Sequence, residues 1–262
     1  MPYAKNVVDG RRVYFEDDGG TGPPVVIHGG FLDSVPTVRN LDIANAISDE
    51  FRLIYVDHRG LGRSDKPHEP EDYGISLRVK DAVAVLDELG IERSHFIGLS
   101  WGARLGFGIG EHAPDRVLSL VMGGNQPYAW PDSALTRVVT EGLTAARAEG
   151  MEALVSAMER FWKMRFPDAL RGVFLDNDHV ALEAAWVKVR AEGPISEDLR
   201  AWRSRCLIFL GAGDADFLDL AQRAADEIPS AEFISLQAQD HINTHMAQGE
   251  SLIEAIVRTL RA

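Results

Sequence analysis

Short, wholly apolar runs alternate along most of this chain with stretches whose apolar residues recur at helical spacing. Runs at 25–27, 52–56, 94–99, 117–122, 206–210 and 232–236 are three to six residues long and are bounded by turn residues, which predicts buried strands. Near the start, Val7-Val8 and Val13-Tyr14-Phe15 flank Asp9-Gly10, a pair favoured in tight hairpin turns. Between the runs, residues 36–49 look helical. Leu77, Val79, Val83, Leu86 and Leu89 follow helical spacing up to a stop at Gly90. Further helices are expected at 101–112, closed by Pro114, near 217–228 and near 249–261.

Strands alternating with helices, the strands apolar throughout, predict an α/β fold with a doubly wound, mostly parallel sheet covered on both faces. Residues 125–202 break the rhythm. They read as helical throughout and carry Trp130, Phe161, Trp162, Phe166, Trp186 and Trp202. This stretch is expected to be a small helical cap inserted after the sixth strand, with 1–124 and 203–262 forming the core. Most of its aromatics should be packing, with Trp130, Phe161, Trp162 and Trp186 taken as candidates for lining a pocket beneath it.

The 262 residues suffice for one large domain, and an apolar content of 45% is ordinary for a globular chain. A formal charge of -13 argues against nucleic acid and anionic membrane surfaces as partners. No run of 18 apolar residues exists and the first residues lack a secretory pattern, so a cytoplasmic location is expected. The single cysteine, Cys206, lies in an apolar strand and reads as a structural thiol.

The sharpest chemical signal is Gly98-Leu99-Ser100-Trp101-Gly102, a Gly-x-Ser-x-Gly pentapeptide between a predicted strand and a predicted helix. In that setting the serine sits on a tight turn with its hydroxyl projecting above the sheet, and the glycines let strand and helix approach. A serine hydroxyl needs a neighbouring base to act as a nucleophile, and the following helix N-terminus favours negative charge at the turn. The bland alternative is a Gly-rich turn with an exposed serine.

Four motifs in order resemble the α/β-hydrolase family, over the whole chain except the cap. His28-Gly29-Gly30-Phe31 resembles that family's loop after its third strand. Asp57 to Ser64 resembles its Asp-x-Arg-Gly-x-Gly-x-Ser loop. Gly211-Ala212-Gly213-Asp214 resembles the loop supplying the acid, and Asp240-His241 falls where the family places its base. The resemblance implies an eight-stranded sheet and a triad of Ser100, His241 and Asp214, in the chain order this fold uses. It implies an oxyanion hole from the Trp101 N–H and a loop N–H, Gly30 first and Phe31 second; Phe31 is also a candidate pocket residue. Asp216 is the rival to Asp214, which the Gly-x-x-Asp spacing favours. His245 is the rival to His241, and Asp240 departs from the glycine common before this histidine. Asp57 and His28 are taken as structural. His58, His68, His95, His112 and His179 have no metal spacing, and an i, i+4 metal pair of His241 and His245 lacks the glutamate of the metalloprotease form. No metal and no cofactor are expected.

A serine at the elbow argues against the dehalogenase and epoxide-hydrolase branches, which place aspartate there. Hydrolysis of a small carboxylic ester through an acyl-enzyme is the leading expectation. Cofactor-free perhydrolase, lactonase, carbon–carbon bond hydrolase and proline iminopeptidase-like chemistry compete with it, as does a non-catalytic ligand-binding scaffold. The expected partner is a small-molecule ester, and a homodimer is left open.

Overall fold

The computed structural model describes residues 2–237, 240–246 and 249–261, with the side chains of 244–246 outside that description. Eight strands form one sheet: β1 (Tyr3–Lys5), β2 (Arg12–Asp17), β3 (Pro24–His28), β4 (Arg52–Val56), β5 (Ser94–Leu99), β6 (Val117–Gly123), β7 (Arg205–Gly211) and β8 (Ala231–Leu236). Their order is β1-β2-β4-β3-β5-β6-β7-β8. Only β2 runs antiparallel to its neighbours; every other pairing is parallel.

The central strands β3 to β7 are mainly apolar because both faces are covered, whereas the edge strand β8 is only partly buried. Successive side chains point to opposite faces, and the burial follows that alternation. Val26, Ile54, Phe96 and Ile208 join one cluster, packed by α3 (Ile75–Glu88), α4 (Trp101–His112) and α9 (Ala215–Glu227). Val25, Ile27, Leu53, Ile97 and Phe209 join the other, packed by α2 (Asp42–Ile47) and α11 (Glu250–Arg261). Each fully buried Val, Ile, Leu or Phe adds about 1.5–3 kcal/mol.

Two local expectations need correction. Val7 and Val8 do not form a strand: they sit in the β1–β2 turn, 84% and 61% exposed. The turn is pinned by polar groups instead, with Val8 N–H donating to Asn6 Oδ1 and Arg11 N–H to Asp9 Oδ1. The single helix expected at 36–49 is two pieces, α1 (Val35–Val38) and α2. Arg39, at the break, lies over the Tyr55 ring and pairs with Glu16 and Asp18.

Four helices stand between β6 and β7: α5 (Ala134–Glu149), α6 (Met151–Trp162), α7 (Asp168–Leu175) and α8 (His179–Ala191). Gly150 alone joins α5 to α6, at φ +73°, where a side chain would be strained. Their apolar faces meet Leu32, Tyr73, Trp101 and Ile242 in a third cluster above the sheet. Ile195, Leu199 and Trp202 return to the main core. Trp202 covers Gly110, where a Cβ would come within 2.4 Å of the indole, and donates from Nε1 to Glu111 Oε2. No helix among the described residues is long and apolar enough to cross a membrane.

Candidate active site

The loops at the carboxyl ends of β3, β5, β7 and β8 converge under the helical insertion. β5 turns directly into α4 at Ser100, whose backbone takes φ +52° and ψ -106°. A non-glycine residue there is held only by its surroundings. Gly98 and Gly102 explain how. A Cβ on Gly98 would come within 2.2 Å of the Gly102 carbonyl oxygen, and one on Gly102 within 2.5 Å of the His28 carbonyl oxygen. Backbone bonds fix the turn from both sides, Ser100 N–H to Gly123 O at 2.7 Å and Gly102 N–H to Gly29 O at 2.9 Å. Asn125 Nδ2 adds a bond to Ser100 O.

Ser100 Oγ lies 2.9 Å from His241 Nε2, and His241 Nδ1 lies 2.7 Å from Asp214 Oδ2. Asp214 stands in the loop after β7, at the start of α9; His241 opens the short helix α10 (His241–Met246). Asp216 is exposed in the first turn of α9, with no bond to His241. The side chain of His245 lies outside the described residues.

The loop after β3 departs from expectation in one respect. Gly30 N–H donates to Asp33 Oδ2 at 2.6 Å, so this amide is already engaged. The buried Asp33 also accepts from Thr37 Oγ1 at 3.0 Å. Phe31 N–H and Trp101 N–H have no such acceptor among the described residues, and Trp101, as the first residue of α4, has no intrahelical one. Asp33 escaped sequence reasoning, although a lone carboxylate just after a Gly-Gly turn is a readable sign of a side chain bonding nearby backbone.

Gly30, Phe31, Ser100, Trp101 and His241 open into a small cavity of about 70 Å³. Trp130, Trp162 and Trp186 line it, as expected for cap aromatics, but Phe161 does not. One step along a helix turns about 100°, so Phe161 and Trp162 face different ways. Phe161 is 36% exposed in an outer groove between α5 and α6, beside Val138 and Glu141. Sequence reasoning missed Leu135, Val139, Met158, Phe174, Phe217 and Ile242 in the wall. An apolar side chain at helical spacing carries no mark separating cavity wall from filled core. Phe217 was the exception, lying three residues from Asp214; its ring packs against His241 at 6.4 Å.

Two of the four indoles in the wall have their N–H groups turned to partners, which helps keep the wall apolar. Trp130 Nε1 donates to Thr136 Oγ1 and Trp186 Nε1 to Thr140 Oγ1, both on α5. Behind the rings lie buried cations. The Arg78 guanidinium lies 4.5 Å from the Trp101 ring centre and donates to the Trp101 carbonyl; Arg104 lies behind Trp130. Burial pushes both arginines down to about 10, so both keep their charge at neutral pH.

The second signature loop locks the scaffold. Asp57 accepts from Val35 N–H at 2.6 Å and Arg63 N–H at 2.8 Å, and Ser64 Oγ donates to the Asp57 carbonyl. Arg59 is fully enclosed and pairs with Asp81 and Asp9. His28 stacks on His58 at 4.5 Å, and His58 Nε2 lies 3.1 Å from Gly29 O. The Cys206 thiol is buried, and burial pushes it up to about 12, away from reactivity. Among the described residues, no group of three or more His, Cys, Asp or Glu is placed to hold a metal ion.

Known proteins place this architecture. The family profile described as the alpha/beta hydrolase fold matches residues 23–207. The chain is 30% identical over 137 residues to cis-3-alkyl-4-alkyloxetan-2-one decarboxylase of Shewanella oneidensis, a match covering 51% of this chain and 42% of that protein. Among solved structures, the enol-lactonase from Burkholderia xenovorans LB400 superposes with a TM-score of 0.80 at 23% identity, over 100% of both chains. An esterase from Exiguobacterium antarcticum does so with 0.83 at 18%, also over 100% of both. At such identities these structures speak to the fold alone. The family match over most of the chain, on a sheet of this order, carries the assignment: this chain belongs to the α/β-hydrolase fold family and is an enzyme of that superfamily.

Proposed function

We propose that this protein is a serine hydrolase that cleaves a small carboxylic ester through an acyl-enzyme. The observation that carries the reading is the relay of Ser100, His241 and Asp214, at 2.9 and 2.7 Å, opening into an apolar cavity. Ser100 Oγ attacks the ester carbonyl carbon while its proton passes to His241 Nε2. The carbonyl oxygen becomes an oxyanion received by the N–H groups of Trp101 and Phe31. The carbon–oxygen bond to the leaving group then breaks, and the alkoxide takes the proton from His241. Water repeats the sequence on the acyl-enzyme and frees the acid. Asp214 accepts from His241 Nδ1–H, fixing the tautomer and stabilising the imidazolium. The wall of indole and phenyl rings favours neutral acyl or aryl groups.

The test is labelling with a p-nitrophenyl alkylphosphonate alongside turnover of p-nitrophenyl esters from acetate to decanoate. Stoichiometric modification at Ser100 and turnover peaking at short chains are expected. A phosphonate that leaves Ser100 unmodified would refute the nucleophile. Modification without any ester turnover would turn the reading toward lactone or carbon–carbon bond cleavage.

The acid has its own test. Asp214→Asn should lower kcat by roughly four orders of magnitude, as expected when the imidazole loses its orienting carboxylate, whereas Asp216→Asn should stay within about threefold of the parent. The reverse ranking in steady-state kinetics would move the acid to Asp216.

A further inference from the structure

A second cavity, of about 360 Å³, lies in the cleft between α1 and α7, next to the catalytic one. The two share three lining residues, Asp33, Phe174 and Ile242. The cleft is otherwise lined mainly by apolar side chains, among them Leu41, Leu170 and Val173. Of these three, Phe174 carries the largest apolar side chain. It is the one buried residue of α7, and its ring is held edge-on by Phe166 at 5.2 Å. Asn177, just beyond α7, donates from Nδ2 to Leu32 O at 2.9 Å, tying this end of the helix to the loop after β3.

We infer that Phe174 is a specificity-determining side chain that shuts the acyl chain out of the α1–α7 cleft, a latent alkyl subsite that opens when the ring is removed. The inference rests on the reading of the Ser100 cavity as the place where the acyl group binds. Its occupant follows from where the cleft leads. It ends at the wall of a site that holds an acyl chain beside Ser100, and its own walls are apolar, so a chain continuing from that site would stay out of water. Removing apolar surface from water is favourable in proportion to the area buried. With the Phe174 ring in place the catalytic cavity is short and the enzyme favours short acyl groups. Without it the two spaces join, and each added methylene finds an apolar wall.

The experiment compares the ratio of kcat/KM for p-nitrophenyl decanoate to that for the acetate in three chains: the parent, Phe174→Ala, and Phe174→Ala with Ala169→Trp. Ala169 is an exposed residue lining the cleft, and a tryptophan there fills it from the solvent side. The ratio is expected to rise at least roughly tenfold in Phe174→Ala, since several methylenes gain burial, and to fall back in the double variant. An unchanged ratio, or a gain that survives Ala169→Trp, would overturn the inference. Phe174→Leu, a milder change, gives the same comparison if the alanine variant fails to fold. Binding of decanamide by calorimetry, in Ser100→Ala and in Ser100→Ala with Phe174→Ala, reads the cleft without turnover. Tighter binding in the second chain supports the subsite even if no ester is cleaved, and equal binding rejects it even if esters are cleaved.

Discussion

Replacing Ser100 with alanine is expected to lower kcat on a p-nitrophenyl ester by roughly five to six orders of magnitude, the scale seen when a triad nucleophile is removed. The fold should survive. Ser100 contributes to packing mainly through its backbone, held by the Gly123 carbonyl and the Asn125 amide, and among the described residues its side chain's one partner is the His241 ring. KM should change little, because the cavity wall is unaltered. Steady-state kinetics with circular dichroism on the same sample decides the matter. A folded variant retaining more than about a hundredth of the parent kcat would remove Ser100 from the chemistry. The loss should exceed that of His241→Ala only slightly, since residues acting as a unit do not contribute additively.

Acidification is expected to cost the fold several kcal/mol between pH 6.5 and 5. His28, His58 and His95 are all buried. Burial, reinforced by the Arg78 cation, pushes His28 down to about 3; burial and then Arg93 take His95 to about 4; burial, His28 and Arg78 hold His58 well below its ordinary range. In the unfolded chain all three titrate near 6.5. Below that pH the unfolded state binds more protons, so the stability present above 6.5 is lost as pH falls. Each histidine contributes up to one proton, about 1.4 kcal/mol per pH unit. Asp57 opposes this. Burial raises its carboxyl to about 6, against the bonds from Arg63 and Val35. The folded state thus takes up a proton between 6 and 4 that the unfolded chain does not, offsetting about one histidine. Burial raises the Asp81 carboxyl as well, which offsets further, so the net is at most about two protons, or about 3 kcal/mol per pH unit. The urea midpoint should therefore drop steeply from pH 6.5 to 5, and His95→Gln, able to keep a bond to Ser119 Oγ, should flatten the slope by about one proton. A midpoint level across that range would contradict the prediction.

The sheet could be read from sequence because its central strands are buried on both faces, so the apolar runs at 25–27 and 206–210 stand out without any period of two. The nucleophile turn could be read because its geometry excludes side chains at Gly98 and Gly102. Helical phase inside the insertion was harder. Phe161 and Trp162 are adjacent and both aromatic, yet only Trp162 reaches the cavity, because what separates them is the position of α5, not their own chemistry. Phe174 was hidden for the same reason. The engagement of the Gly30 amide by Asp33 depends on one rotamer in a short loop. Sequence can supply a carboxylate near a Gly-Gly turn but not say which N–H it takes.

Helices α5 to α8 leave the sheet after β6 and rejoin it at β7, and these two strands are neighbours in the sheet. The insertion is thus a cassette with both ends at one place, while Ser100, Asp214 and His241 hang from β5, β7 and β8 outside it. Its indoles travel with it: Trp130 and Trp186 are oriented by Thr136 and Thr140 of the cassette's own first helix. Phe31 and Trp101 stay behind. Part of the cavity wall is therefore portable and part is fixed beside Ser100, so exchanging the cassette between relatives would change the shape of the cavity without disturbing the Ser100–His241–Asp214 geometry.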